Sequence, residues 1–337
     1  MKNIIPLVRV APIHLFVNFL EEVGTPTETL LKQWKISTYA LEDDNLSISC
    51  HQAFNFIHDA ALQQGISNLG LLVAERNSFN SLGILGRMTT QCLTLYDAIL
   101  TAIYVGRFFN SCERFWLIER GSKAYLCQEF IYVKELMLDH ACYFSLRMML
   151  NLIQIVAGKS WYPKKISLQT NFSNFVDNPL SEVEINRSVA INSIEFPRDF
   201  LSLPLPTSTH KFSLEEEYHF LFKTAPPSLF SQRLALVIIP FLKEGYLTLE
   251  MVSGIIRITP RTIQRRLAKE GLTYDKLLEQ IRYKKAMELL QDKKAKIIDI
   301  AYELGYKDPS HFTRAFKRWT GKTPKEFKNF PPNPLIL

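Results

Sequence analysis

Cysteine is scarce in this chain and follows no pattern. Five are spread through 337 residues, at Cys50, Cys92, Cys112, Cys127 and Cys142, with no C-x-x-C pair. An odd, scattered set suits buried, reduced thiols better than a disulfide framework or a thiolate metal site. Glycine is sparse too, at 13 residues. Neither the G-x-G-x-x-G nor the G-x-x-x-x-G-K-[ST] phosphate cradle occurs, nor the G-x-S-x-G turn of a nucleophilic serine. The histidines assemble no ligand spacing; His51 and His58 lie two helical turns apart, which suits a packed helix face as well as a site. No catalytic residues, no metal and no cofactor are therefore expected, and the chain does not read as an enzyme. No apolar run is long enough to span a bilayer. The opening segment is interrupted by Arg9, Pro12 and His14, so it reads as a lead-in to a helix and not as a signal peptide. The expected compartment is the cytoplasm.

What is present is charge, unevenly placed. From Arg233 onward there are 21 Lys+Arg and 11 Asp+Glu, a net of +10; the remainder holds 19 and 22, a net of −3, which together make the chain's +7. The basic excess belongs to the last third alone, an asymmetry that suits a nucleic-acid-binding module attached to a neutral domain. An anionic membrane would also attract a basic face, but no Lys-rich helix with an exposed apolar side accompanies it.

Periodicity divides the chain in the same way. Residues 13–22 are helical in spacing, Thr25-Pro26 opens a second helix with Leu30, Leu31 and Trp34, and Ser49 precedes a third with Phe54, Ile57, Ala61 and Leu62 on one face. Thr94 and Asp97 make a capping box before a helix that packs through Ile99, Ala102, Ile103 and Gly106. Residues 113–120 and 123–133 alternate about Gly121-Ser122, predicting a hairpin. A long helix is predicted over 135–157, and strands over 165–171 and 190–196. A short helix over 214–222 precedes Pro226-Pro227, the linker candidate.

Beyond the linker every segment reads as helix. Leu234, Val237, Ile238 and Phe241 line the first. Segments 247–256 and 260–269 form a helix-turn-helix in which Thr259 caps the second helix and Pro260 takes its first position; Ile263 and Leu267 are inward, with Arg261, Gln264 and Arg265 outward. Thr273 opens a long connecting helix. Residues 297–327 repeat the pattern. Ile297, Ile300, Ala301 and Leu304 line one face, Gly305 stops the helix, and Asp308 and Pro309 start the next. Phe312, Phe316 and Trp319 form a dry stripe, with His311, Arg314 and Arg318 pointing away and Ser310 and Lys317 on the flanks. Gly321 ends this helix, and Pro324 is expected to forbid its continuation.

The run I-x-x-I-A-x-x-x-G-Y-x-D-x-S-H-F-x-R-x-F-K-R-W-x-G-x-T-P-x-x-F over 297–327 resembles the signature of the AraC/XylS family of bacterial transcription regulators. More weakly, NLGLL (68–72), LGILGRMTTQCLTLYDAI (82–99) and INSIEFPRDFLSLPLP (191–206) are similar to the regulatory domain of the branch that includes ornithine regulators, often labelled arabinose-binding-like. The resemblance implies an α+β regulatory, effector-binding or dimerisation domain over 1–225. It implies a linker at 226–231, an all-α domain with two helix-turn-helix units joined by a long helix at 232–330, and a tail at 331–337. Two departures stand in the first unit: Ser253 replaces a small Ala, and Arg257 replaces the Gly of the turn. A positive φ at Arg257 would cost roughly 1 kcal/mol relative to glycine.

By the same resemblance the chain binds double-stranded DNA, with RNA polymerase, an unknown small-molecule effector and a homodimer as further expected partners, and no membrane. Residues aligned with Arg261, Gln264 and Arg265, and with Ser310, His311 and Arg314, reach base edges in the family. Their chemistry fits, since Arg can bridge guanine O6 and N7 and Gln can bridge adenine N6 and N7. Lys296, Lys307, Lys317 and Arg318 suit phosphates. For an effector, a pocket is expected between the hairpin residues Trp116, Tyr125 and Tyr132 and the helices carrying Arg107 and Arg147, the arginines pairing with an acidic ligand or with Glu113 and Glu129. The alternative is ordinary aromatic core and an effector-independent or partner-controlled DNA binder whose first domain only dimerises.

Overall fold

The computed structural model describes residues 4–131, 137–170, 182–206, 213–245 and 247–329. They fall into two compact units, one running from Pro6 to Pro226 and the other formed by Ile5 and its predecessor with everything from Pro227 on.

The first unit is α+β. Its strand β1 (Leu7–Arg9) leads into α1 (Ala11–Glu22) and α2 (Thr27–Gln33), and β2 (Ser47–Ser49) returns antiparallel to β1. Then come α3 (Cys50–Gln64), α4 (Leu69–Arg76), α5 (Ile84–Thr90) and α6 (Leu95–Gly106). Local sequence accounts for their starts. Ser49 and Gln52 close a reciprocal capping box on α3, and the Thr94 hydroxyl accepts from Asp97 N on α6. Leu62, expected on the packed face of α3, is instead 66% exposed. It follows Ala61 by one residue, about 100° round the helix, off the stripe of Phe54, Ile57 and Ala61.

The hairpin forms as the alternation predicts, with β3 (Glu113–Arg120) antiparallel to β4 (Lys123–Phe130). Next is α7 (Asp139–Ala157), which starts later than 135; residues 132–136 lie outside the described set. The strands β5 (Lys165–Ser167) and β7 (Asn192–Pro197) are shorter than predicted, and β6 (Glu184–Asn186), not foreseen, lies parallel to β5 at the sheet edge. The sheet order is β3-β4-β7-β5-β6. Behind it α7, buried along most of its length, also carries α4 on its flank. Last is α8 (Leu214–Lys223).

Arg9 is 1% exposed in this unit. Its Nε donates to Phe108 O at 3.2 Å, one Nη to Asn45 Oδ1 at 3.1 Å, and the other to Thr224 O at 3.2 Å and Oγ1 at 2.8 Å. Burial lowers its pKa to about 10, against the raising effect of Asp43, so it stays charged at neutral pH.

The second unit is all helical: α9 (Phe230–Ile238), α10 (Leu249–Ile256), α11 (Pro260–Lys269), α12 (Tyr274–Leu289), α13 (Ile297–Glu303), α14 (Pro309–Thr320) and α15 (Pro324–Asn329). The Glu270 carboxylate accepts from Phe230 N at 2.9 Å and Ser231 N at 3.1 Å, satisfying two free amides at the start of α9. Arg233 donates to Ile5 O at 2.9 Å, and Ile5 is wholly buried. Gly321 ends α14, and Pro324, expected only to forbid its continuation, opens α15. Thr323 N donates to Glu326 Oε2 at 2.8 Å and Glu326 N to Thr323 Oγ1 at 3.2 Å, a capping box in T-P-x-E that the sequence reading passed over.

Candidate nucleic-acid interface

In both helix-turn-helix units the amphipathic pattern sets which side chains face outward. In α11, Ile263 and Leu267 are wholly buried while Arg261, Gln264 and Arg265 are exposed. Thr259 Oγ1 accepts from Thr262 N at 3.4 Å and Pro260 stands at the first helical position, so the helix starts where the exposed face begins. The preceding turn is made by Arg257 at φ 52°, ψ 41°, the left-handed conformation that costs a non-glycine residue roughly 1 kcal/mol.

In α14, Phe312 and Phe316 are wholly buried against Ile300, Ala301, Leu304, Ala286 and Leu290. Trp319 is only half-buried and stands edge-on to Tyr283. Ser310, His311, Arg314, Lys317 and Arg318 are exposed, as are Lys296 at the start of α13 and Lys307 in the turn. Asp308 Oδ1 accepts from Ser310 N at 2.8 Å, and that amide is the first cause of its lowered pKa. His311 Nε2 lies 3.9 Å from Asp308 Oδ2.

Among the described residues, Arg261, Gln264, Arg265 and Arg314 make no hydrogen bond or ion pair with another side chain. Arg318 differs, since its guanidinium pairs with Glu279 of α12. The connecting helix α12 is tied to both units. Tyr274 donates its hydroxyl to Leu247 O at 2.6 Å ahead of α10, and Arg282 Nε donates to Leu304 O at 3.2 Å behind α13. Unpaired guanidinium groups on two such helices suit bidentate donation to base edges or to phosphate oxygens.

The pocket expected in the N-terminal unit does not assemble from the expected residues. Arg107 is exposed and lies over the Tyr104 ring at 3.9 Å, and Arg147 lies 4.0 Å from Glu75, so neither pairs with Glu113 or Glu129. Trp116 stands opposite Cys127 and Tyr125 opposite Ile118. Strand alternation puts these on the sheet face away from Phe115 and Leu126, which line the unit's apolar cavity. Tyr132 lies outside the described residues. Arg147 lines a separate cleft with Glu75 and Asn151.

Glu113, expected only as a partner for the arginines, has a setting of its own. Its side chain is half-buried and lines that cavity. Burial raises its pKa from 4.5 to about 7, partly opposed by the nearby Gln128 amide and by hydrogen bonds from Asn110 and Ser145. His140 on α7 shifts the other way, from 6.5 to about 4, by burial first and then by His58. The signs oppose. The stability linked to Glu113 is complete below pH 4.5 and declines as pH rises toward 7, whereas that linked to His140 is complete above 6.5 and declines as pH falls toward 4. Glu113→Gln should therefore gain stability relative to the unsubstituted protein as pH is raised from 4.5 to 7. Melting of both proteins across that range checks it; a difference in melting temperature that does not change with pH would contradict the assignment.

Residues 24–205 match the family model of the arabinose-binding domain of AraC transcription regulator, N-terminal, and residues 252–329 match a helix-turn-helix domain model. The chain is similar to the ornithine utilization regulator of Pseudomonas aeruginosa, at 24% identity over 96% of this chain and 97% of that protein. It is similar to an uncharacterised HTH-type transcriptional regulator of Mycobacterium bovis, at 25% identity over 91% and 92%. Among solved structures it resembles the transcriptional regulator CdpR of Pseudomonas aeruginosa, at 17% identity and a TM-score of 0.37 over 90% of this chain and 96% of that one. The N-terminal match alone spans more than half of the chain, and with the helix-turn-helix match behind it the chain belongs to the AraC family, as a DNA-binding transcription regulator with an arabinose-binding-like N-terminal domain.

Proposed function

We propose that α11 and α14 enter successive major grooves on one face of the duplex and read an asymmetric operator, under control of a small-molecule effector received by the N-terminal unit. One helical turn separates such grooves by about 34 Å, so one chain covers roughly two turns. The observation that carries the reading is the pair of helices with a fully buried apolar side and exposed, unpaired Arg261, Gln264, Arg265 and Arg314 on the other. Ser310 and His311 join Arg314 at the base edges. Lys296, Lys307 and Lys317 meet phosphates. Arg318, held by Glu279, has to leave that pair to contribute. RNA polymerase is the partner through which such binding changes transcription.

Arg314→Ala should lose roughly 1 to 3 kcal/mol on the cognate operator and relax preference at one base. Lys317→Ala should weaken every sequence alike and reduce the salt slope by about 1. Titration against operator and random duplexes at several salt concentrations separates them. A loss for Arg314→Ala no greater on the operator than on random DNA would remove it from base reading.

A second reading, in which the first unit only dimerises, draws on one observation. Tyr96 and Leu100, one turn apart on α6, are 40% and 42% exposed, and Leu93 just before the helix is 80% exposed. Ultracentrifugation of Leu100→Glu beside the unsubstituted protein tests it, and unchanged mass counts against dimerisation through this face.

A further inference from the structure

The N-terminal unit holds a partly open cavity of about 120 Å³. Its wall is almost wholly apolar, built by Phe16, Ile57, Ile103, Met148 and Leu152 among others, and its polar end is Glu113 flanked by Asn110 and Ser145. Asn110 Nδ2 donates to Glu113 Oε1 at 2.5 Å, and Ser145 Oγ donates to Oε2 at 3.3 Å. Asn110 is itself fixed, because its Oδ1 accepts from Cys112 N at 2.8 Å. Gln128, wholly buried, stands beside the same carboxyl. Among the described residues no Lys, Arg or His pairs with Glu113.

An acid held by neutral donors at the end of an apolar void is a poor packing choice. A leucine there would fill space and bring no desolvation penalty, whereas a carboxyl in such a place costs several kcal/mol if ionised. What the arrangement does offer is a single strong acceptor at one end of a dry chamber. A void of roughly 150 Å³ lined by Leu, Ile and Phe is known to hold a body the size of benzene, so this one, somewhat smaller but partly open, suits a slender ligand of about six to seven heavy atoms.

We propose that this cavity seats a compact, hydrocarbon-bodied ligand whose one polar head, an amine or a hydroxyl, donates a hydrogen bond to Glu113. The proposal rests on the reading that the N-terminal unit receives a small effector, and it names the class. Sugars do not fit. Each hydroxyl beyond the first would be stripped of water against apolar wall, at roughly 1 to 3 kcal/mol apiece. Anions do not fit either, since among the described residues the ionisable group lining the cavity is another acid. An acidic effector, which Arg107 and Arg147 suggested, is thereby replaced by one of the opposite polarity.

The test uses the full-length protein with three probes of matched chain length, n-hexylamine, 1-hexanol and hexanoate, and with L-arabinose as the sugar, followed by calorimetry and by melting temperature. Hexylamine and hexanol should bind at least about tenfold more tightly than hexanoate and arabinose. Glu113→Gln keeps the shape and removes the charge, and should cost hexylamine about tenfold while costing hexanol less. Gly106→Leu supplies a second variant that leaves Glu113 in place. A Cβ at Gly106 meets only the Phe115 ring, at 3.8 Å, so the added chain grows into the cavity and should abolish binding of both probes. Circular dichroism confirms that each variant is folded. Equal or tighter binding of hexanoate or arabinose, or no binding of any probe, overturns the proposal. Binding that leaves operator affinity unchanged keeps the cavity assignment and overturns the effector reading. An operator response to hexanoate or arabinose that survives Gly106→Leu does the reverse.

Discussion

Gly305→Ala is expected to destabilise the C-terminal unit by roughly 3 kcal/mol or more, and with it operator binding. Two costs combine. Gly305 ends α13 at φ 80°, a left-handed conformation. A Cβ there would also stand 2.1 Å from Leu242 O and 3.3 Å from Gly245 Cα, against main chain that has no rotamer by which to yield. Gly321 separates the terms, since it ends α14 at φ 76° with nothing within 4 Å of a Cβ. Gly321→Ala should cost only about 1 kcal/mol, the conformational part alone. Thermal or urea unfolding of the two variants in parallel is decisive. Equal losses would mean that the approach of Leu242 is not what makes Gly305 irreplaceable.

The second large effect is expected in the other unit. Gly70 has an ordinary helical conformation within α4, so alanine there should gain about 1 kcal/mol of helix propensity. The neighbour forbids it, because a Cβ would lie 1.9 Å from His140 O, 2.8 Å from His140 C and 3.0 Å from Phe144 N, all main chain of α7. Gly70→Ala must push two helices apart, and a net loss of roughly 2 to 4 kcal/mol is expected. Gly106→Ala is the control, a helical glycine with only the Phe115 ring at 3.8 Å, where the propensity gain should survive. If both substitutions move the melting temperature the same way, close packing of α4 on α7 is not the controlling term.

These glycines also show what could be read in advance. Gly70 lies within NLGLL, one of the short segments that carried the weaker resemblance, but nothing in those five letters says that His140 presses against it. That contact spans two elements, and periodicity within one element carries no information about it. The helix-turn-helix units were legible because their signals are local. Caps at Thr259, Thr273 and Asp308 and the apolar spacing of Ile263 with Leu267 and of Phe312 with Phe316 all act within a few residues. For the same reason the outward faces of α11 and α14 could be drawn from the chain alone. The capping box at Thr323 was equally local and was missed because Pro324 drew the reading toward termination.

The cavity was illegible for a different reason. Trp116 and Tyr125 drew notice by residue type, yet the sheet's period of two sends them to the far face. Glu113 looked like the unremarkable first residue of a strand. Its character comes from Asn110 three residues before it, Ser145 on α7 and Gln128 across the hairpin, which only the folded chain brings together.

The hydrogen bond from Arg233 to Ile5 O joins residues 228 positions apart. Closing an unstructured loop of that length would cost about 5 kcal/mol by chain-entropy scaling. The fold avoids most of it. Arg9, next to the start of the first unit, grips Thr224, next to its end, at 2.8 Å, so the intervening chain enters and leaves at one place once that unit has formed. The DNA-binding unit is in this sense an interrupted polypeptide, whose first piece to be synthesised waits for the last. A ribosome must deliver more than two hundred residues before Ile5 can be seated, and the folded first unit then acts as the clamp that holds the ends of the interruption together.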